Sequence, residues 1–232
     1  MSAVLRITNL VKDYRGLRPL RVELLSIAGG EHVAIVGLDQ PGAEMLINLV
    51  TGASLPDSGE IQVFGRPTAD IRDSADWLTV VDRFGIVTER AVLLDSLTAL
   101  QNLALPFSLD IEPPSAEVRA AAIALATEVG LAESDLGRTV ATFDGSVRMR
   151  LRLGRALALQ PQVLLLEHAT ASVERSSVAA FAKTIRAVAT RRRIAMLALT
   201  ADAEFATDVA ARVLTLTPAT GRLAERRRRW FM

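Results

Sequence analysis

Between Val33 and Val50 the chain reads Val-Ala-Ile-Val-Gly-Leu-Asp-Gln-Pro-Gly-Ala-Glu-Met-Leu-Ile-Asn-Leu-Val: an apolar strand, a loop bounded by Gly37 and Gly42, then an apolar-periodic helix. This is the frame of a phosphate-binding loop, in which backbone N–H groups and a helix N-terminus face an anion. The side chains of such a loop are missing. The pattern Gly-x-x-x-x-Gly-Lys-Ser/Thr brings a lysine to the β/γ-phosphates and a hydroxyl to Mg²⁺, and this chain has Ala43 and Glu44 there. Asp39 adds a carboxylate inside the loop. Carboxylates complement the positive end of a helix but repel a triphosphate, so the loop is expected to be capped by its own side chains. Taken alone, the stretch reads equally as an ordinary strand-to-helix turn.

Composition narrows the rest. With 232 residues, half of them apolar, the chain can bury a large core in one domain or in a domain with a sizeable subdomain. Formal charge is +1, so no global drive toward nucleic acid or anionic membrane exists, and no nucleic-acid partner is expected. Of 27 basic residues only Lys12 and Lys183 are lysines, and neither stands near the loop in sequence. The absence of cysteine excludes disulfides, thiolate metal sites and thiol catalysis, and only His32 and His168 supply imidazole. Met-Ser-Ala-Val-Leu-Arg runs straight into a strand-like pattern without a leader signature, and no run approaches a membrane span. A cytoplasmic location is expected, peripheral to the inner face of the cell membrane only through a partner.

Val4–Leu10 and Arg21–Ile27 read as strands, with Tyr14 between them and a turn at Ala28-Gly-Gly-Glu31. Leu55-Pro-Asp-Ser-Gly-Glu-Ile-Gln-Val-Phe-Gly-Arg66 gives a turn, a short strand and a turn, so that the N-terminal part resembles a small mixed sheet beside an α/β core. Trp77 to Val87 suggests a strand. Leu93 to Pro106 has helical spacing with Ser96 or Thr98 as cap, and an alanine-rich helix runs from Pro113-Pro-Ser to Val129, ended by Gly130. Val147 to Leu159 is a helix lined with arginines. The strand Val163–Leu166, a helix over Ser176–Ala189, the strand Ile194–Leu199, a helix over Asp202–Ala211 and a last strand Val213–Leu216 follow. Apolar runs alternating with helices imply a parallel sheet covered on both faces.

With these elements placed, the chain resembles the nucleotide-binding subunit of ABC transporters over nearly its whole length. Gly30-Glu31 before the loop strand, Leu55-Pro-Asp-Ser-Gly-Glu-Ile61, Leu97-Thr-Ala-Leu-Gln-Asn-Leu103 and Arg155-Ala-Leu-Ala-Leu-Gln-Pro161 follow one another in the family's order. The resemblance implies one ABC-type domain with a P-loop NTPase core and a mainly parallel sheet. Residues 1–87 would be the mixed β-subdomain and P-loop-like core, 88–158 an inserted helical subdomain, and 159–232 the remaining α/β core and tail.

Carried over position by position, the family's functional residues are mostly replaced. Tyr14 matches the aromatic that stacks on adenine, and reads equally as an exposed turn tyrosine. Gly37, Gly42, Ala43 and Glu44 mark the vestigial ATP site. The glutamine that contacts Mg²⁺ and water falls at Glu89. The signature Leu-Ser-Gly-Gly-Gln falls at Phe143-Asp-Gly-Ser-Val147, so Asp144, Gly145 and Ser146 stand where a partner's nucleotide would be met. The Asp-Glu pair that places Mg²⁺ and polarises water becomes Glu167-His168, and the switch histidine becomes Ala201. Glu167 is long enough to hold a metal-bound water. His168 is either a general base or a sheet-end histidine with a structural hydrogen bond.

Phosphoryl transfer rests on positioning and charge neutralisation, each lost contact costing about two powers of ten. The expected role is therefore a pseudo-ATPase requiring neither ATP nor a metal. It would dock through the helical subdomain to a membrane permease, and pair as a homodimer or heterodimer with an ABC ATPase. Two alternatives stand beside it: a working ATPase with divergent motifs that does take ATP and Mg²⁺, and a soluble binding module using the tail Arg226–Met232.

Overall fold

A computed structural model describes residues 3–225, and the basic–aromatic tail Arg226–Met232 lies outside the described residues. The first sheet pairs β1 (Ala3–Lys12) with β2 (Leu20–Ala28) and β4 (Ser58–Val63), and β4 with the two-residue β5 (Arg66–Pro67). All its pairings are antiparallel, so the expected mixed sheet is an antiparallel one. The second sheet has the order β10–β9–β3–β8–β7–β6. Its members are β3 (His32–Val36), β6 (Phe84–Thr88), β7 (Val163–Glu167), β8 (Ala195–Thr200), β9 (Arg212–Thr217) and β10 (Arg222–Glu225). Every pairing there is parallel except β9 with β10.

The apolar runs are continuous because the central strands are covered on both sides. Ala34, Leu164, Leu166, Met196 and Ala198 face one core with the helices α3 (Ala99–Ala104), α4 (Ala116–Glu128), α5 (Gly145–Leu157), α6 (Arg175–Arg192) and α7 (Ala203–Val209). Val33, Ile35, Val163, Leu165 and Leu197 face the other, shared with α1 (Gln40–Val50) and the antiparallel sheet. Strict alternation along each strand divides the two cores.

Three local readings change. Residues Ser74–Val81 form a helix, α2, because Asp73 caps it by accepting from the Asp76 N–H at 2.9 Å. The Trp77 indole N–H then reaches the Thr51 carbonyl at 3.0 Å, and the strand expected from Trp77 begins only at Phe84. Val213–Leu216 is not the last strand: a turn over Thr217–Gly221, with Gly221 at φ +78°, folds β10 back beside it. The loop helix starts early, at Gln40, inside the stretch bounded by Gly37 and Gly42.

The segment 93–106, read from sequence as helical, is helical only over Ala99–Ala104, and its start is fastened by backbone bonds to residues 136–141 and by one polar side chain. Fully buried Asn102 donates to the carbonyls of Leu94 and Thr98 at 3.0 and 3.1 Å and accepts from the Leu94 N–H at 2.9 Å. Thr98, not Ser96, caps α3, in a reciprocal capping box with Gln101.

Candidate functional site

The parallel strands β3, β6, β7 and β8 end at one edge, where Val36 lies beside Thr200 and Thr88 beside Glu167. Ligands of open α/β sheets bind along this edge, between the strand ends and the helices that follow. Here that crevice is crossed by side chains of the protein.

Glu167, the last residue of β7, has a side chain with 0% exposure. A buried carboxylate needs partners, and it has three donors. Arg90 grips it side-on, Nε to Oε1 at 3.2 Å and Nη2 to Oε2 at 2.6 Å, and Gln40 Nε2 donates to Oε1 at 2.6 Å. The remaining terminal nitrogen of Arg90, Nη1, reaches Glu44 Oε1 on α1 at 2.6 Å. A planar guanidinium suits such bridging because its donors form a fixed fork. Hydrogen bonding to Glu167 raises the Arg90 pKa above its ordinary value.

Arg90 and Gln40 were not among the residues singled out from sequence. Arg90 lies 46 residues from Glu44 and 77 from Glu167, so no local pattern joins them. The one available signal was an arginine directly after Glu89 at the end of a strand. The lack of a nearby lysine therefore does not leave the site without a cation.

The loop is closed on itself, as its carboxylate predicts. Asp39 caps α1 by accepting from the Gly42 N–H at 2.9 Å, while its carbonyl takes the Ala43 N–H at 2.9 Å. Pro41 has no N–H to offer, and from Glu44 onward the N–H groups lie within the helix. Gly37 is obligatory at φ +108°, and a methyl group there would lie 2.9 Å from the Leu216 carbonyl oxygen. Tyr14 leans on the loop: a methyl group on Gly42 would stand 2.7 Å from Asp39 Oδ1 and 3.5 Å from the Tyr14 hydroxyl. Burial, helped by the Asp39 carboxylate, raises the Tyr14 pKa. Ala43 is buried in the core beneath the loop.

The signature-equivalent segment is also self-capped. Asp144 accepts from the Val147 N–H at 2.9 Å and occupies the start of α5. Gly145 is packed so tightly that a methyl group would fall 1.9 Å from the Ser172 carbonyl oxygen, and the Ser146 hydroxyl accepts from the Glu174 N–H at 3.4 Å. The two helix starts that would each face an anion hold an aspartate of their own.

The remaining positions are dispersed. Glu89 is exposed, and its carbonyl accepts from Arg152 at 3.0 Å. His168 takes a left-handed backbone at φ +43°, its N–H donates to Leu199 at 2.8 Å, and its ring Nε2 is buried without a hydrogen-bond partner. The ring nitrogen Nε2 thus makes no structural hydrogen bond of the kind expected of this side chain, and only the backbone N–H is tied. Ala201 is exposed in the turn before α7, which Asp202 caps through the N–H groups of Glu204 and Phe205, both at 3.0 Å.

The arginines along α5 turn out to be fasteners. Arg152 donates to the carbonyls of Ala91 and Glu89, each at 3.0 Å, and Arg155 to that of Val92. Arg148 pairs with Asp95 at 2.7 Å, and Arg150 donates to Val129 at 2.7 Å. Burial lowers the pKa of Arg150, Arg152 and Arg155.

A magnesium triphosphate would need both Glu167 oxygens, the loop N–H groups and a hydroxyl at residue 44. Both Glu167 oxygens and the Gly42 and Ala43 N–H groups are engaged within the protein, and residue 44 carries a carboxylate in place of the hydroxyl. The loop lysine and hydroxyl that would meet such a ligand are replaced by Ala43 and Glu44, and the Glu167 carboxylate is paired with Arg90.

Comparison with known proteins places this geometry in context. A family model described as ABC transporter matches residues 22–171. The chain is 31% identical over 229 residues to the lipoprotein-releasing system ATP-binding protein LolD of Pseudomonas syringae pv. tomato, covering 97% of this chain and 98% of that one. It is 36% identical over 172 residues to LolD of Maricaulis maris, covering 72% and 74%. Against the methionine import ATP-binding protein MetN of Brucella abortus it is 30% identical over 192 residues, 83% of this chain, and spans about half (51%) of that relative. Two solved structures share the fold. CbiO1 from Clostridium perfringens, part of the ABC transporter complex cbiONQ, gives a TM-score of 0.81 at 20% identity, covering 97% of this chain and 88% of that one. The dimeric, ADP- and phosphate-bound cassette MJ0796 gives 0.78 at 23%, covering 98% and 100%. The family match takes in both the loop edge and the buried glutamate of β7, well over half of the residues, and the chain belongs to the ABC transporter family.

Proposed function

We propose that this chain is an ABC transporter ATP-binding subunit that has become a pseudo-ATPase, serving as a structural or regulatory partner of a membrane permease, of an active ABC ATPase, or of both. The observation that carries the reading is the Arg90 bridge between Glu167 and Glu44, which uses the β7 carboxylate for an internal ion pair. Electrostatics points the same way. Two carboxylates share one guanidinium, and Asp39 adds a third negative charge on the loop, so carboxylates outnumber the cation that bridges them where a triphosphate would approach.

Docking to a permease has support from the face beside this bridge. A groove of about 460 Å³ is lined by Ile86, Ala91, Leu105, Pro106 and Leu109 with Arg152 and Arg155 of α5, and Leu109 and Val92 are 88% and 70% exposed. No helix among the described residues is long and apolar enough to cross a membrane; in this reading the chain meets the inner face of the cell membrane through its partner. The three stretches 1–87, 88–158 and 159–232 would act as one ABC-type unit.

Calorimetric titration of the purified chain with Mg²⁺–ATP tests the reading. No heat of binding is expected, and micromolar, Mg²⁺-dependent affinity would overturn it. A second reading, hydrolysis with His168 as general base, has one observation in its favour: the unpartnered ring Nε2 beside Glu167 in sequence. Steady ATP hydrolysis abolished by His168→Ala would establish it.

A further inference from the structure

We propose that Arg90 is an internal clamp that fastens the segment entering the helical region to the sheet edge without nucleotide, and so holds the partner-facing groove in one orientation. The proposal rests on the pseudo-ATPase reading and adds how the emptied site would be used.

Residues 89–95 are tied on both sides. From α5, Arg152 holds the carbonyls of Glu89 and Ala91, Arg155 holds that of Val92, and Arg148 pairs with the Asp95 side chain. These ties fix the segment to the helices only. Arg90 points the other way and reaches two elements of the core at once, Glu167 at the end of β7 and Glu44 on α1. Its own backbone N–H is turned onto the Thr88 hydroxyl at 3.3 Å, which starts the turn out of β6.

Position and chemistry agree. Glu44 and Glu167 lie on separate elements and would repel each other across the crevice if left alone. A single cation between them turns repulsion into a cross-link, as a bound metal does between carboxylates, but this cation is covalently part of the chain. Because it sits on the segment leading to Leu105, Pro106 and Leu109, cross-linking the core also positions the groove wall. The tie is made by the chain's own side chain and needs no bound ligand.

Amide hydrogen exchange followed by mass spectrometry on the full chain tests this in wild type, Arg90→Gln and the double variant Arg90→Gln/Glu167→Gln. The double variant leaves no unpaired buried charge, so it remains informative if the single variant fails to fold. In the folded double variant, exchange across residues 93–106 is expected to rise about tenfold, with β3, β7 and β8 unchanged, since local opening is governed by local ties. Unchanged exchange across 93–106 would overturn the clamp. Added Mg²⁺–ATP should leave the wild-type pattern unaltered. Protection of residues 37–44 by Mg²⁺–ATP would overturn the pseudo-ATPase reading and the clamp with it. A silent wild type with an unchanged double variant would overturn the clamp alone.

Discussion

Replacing Arg90 by alanine strips a fully buried carboxylate of its countercharge and leaves Gln40 as the donor on Glu167. Breaking a buried ion pair by removing one partner typically costs about 3–5 kcal/mol. The Arg90 side chain is 42% exposed, so water replaces part of what is lost and the lower end, about 3 kcal/mol, applies. The Glu44 contact, with both side chains some two-fifths exposed, adds at most about 0.5 kcal/mol. For a domain of this size that corresponds to a fall in Tm of roughly 6–12 °C, read by calorimetry or circular dichroism. The control is Arg90→Ala/Glu167→Leu, in which an apolar side chain fills the buried position. It should recover most of the loss, because replacing a buried pair with packed hydrophobic groups is often neutral. A fall below about 2 °C for Arg90→Ala would refute the assigned weight of the bridge. A double variant as unstable as the single one would refute its cause.

The double change Ala43→Lys/Glu44→Ser restores the two missing loop residues but leaves Asp39 on the Gly42 N–H and Arg90 on Glu167, so it should still bind no Mg²⁺–ATP by calorimetry. Adding Asp39→Ser and Arg90→Gln should bring binding back, and binding by the first pair alone would contradict the geometry. Asp144→Ala removes the α5 cap and should cost about 1 kcal/mol in urea denaturation. The Arg66 guanidinium beside Asp76, with the Arg72 N–H, holds that carboxyl down at about 2. A depressed carboxyl stabilises the folded chain above its ordinary pKa and loses that contribution as pH falls from about 4 toward 2. Arg66→Gln should raise the Asp76 titration, followed by NMR, toward the ordinary carboxylate range, the Arg72 N–H still holding it below, and should weaken that component of acid sensitivity.

Much of the fold was legible because its strands are buried on both faces: Val33–Val36 and Val163–Leu166 are apolar without interruption, and few other arrangements accept that. Punctuation was legible too, as Ser115 and Gly130 at the two ends of α4 illustrate. Trp77 misled because Leu78, Val80 and Val81 satisfy both periodicities in so short a run, and the Asp73 cap decided for helix. Within the site, the self-capping of the loop followed from Asp39, whose carboxylate acts three residues away. The Arg90 bridge did not follow from anything local. It joins the ends of β6 and β7 to α1, and only the sheet order brings these together.

The fasteners on α5 grip carbonyl oxygens at Glu89, Ala91 and Val92, a group that every amino acid carries. Apart from Arg90 and Asp95, whose side chains carry ties of their own, the path of this segment is thus uncoupled from the identity of its side chains. Exposed positions such as Glu89 and Val92 are free to change in charge, size and polarity while the backbone beneath them stays in place. A rim of that kind can be re-tailored to a different binding partner one substitution at a time, without reopening the architecture that presents it.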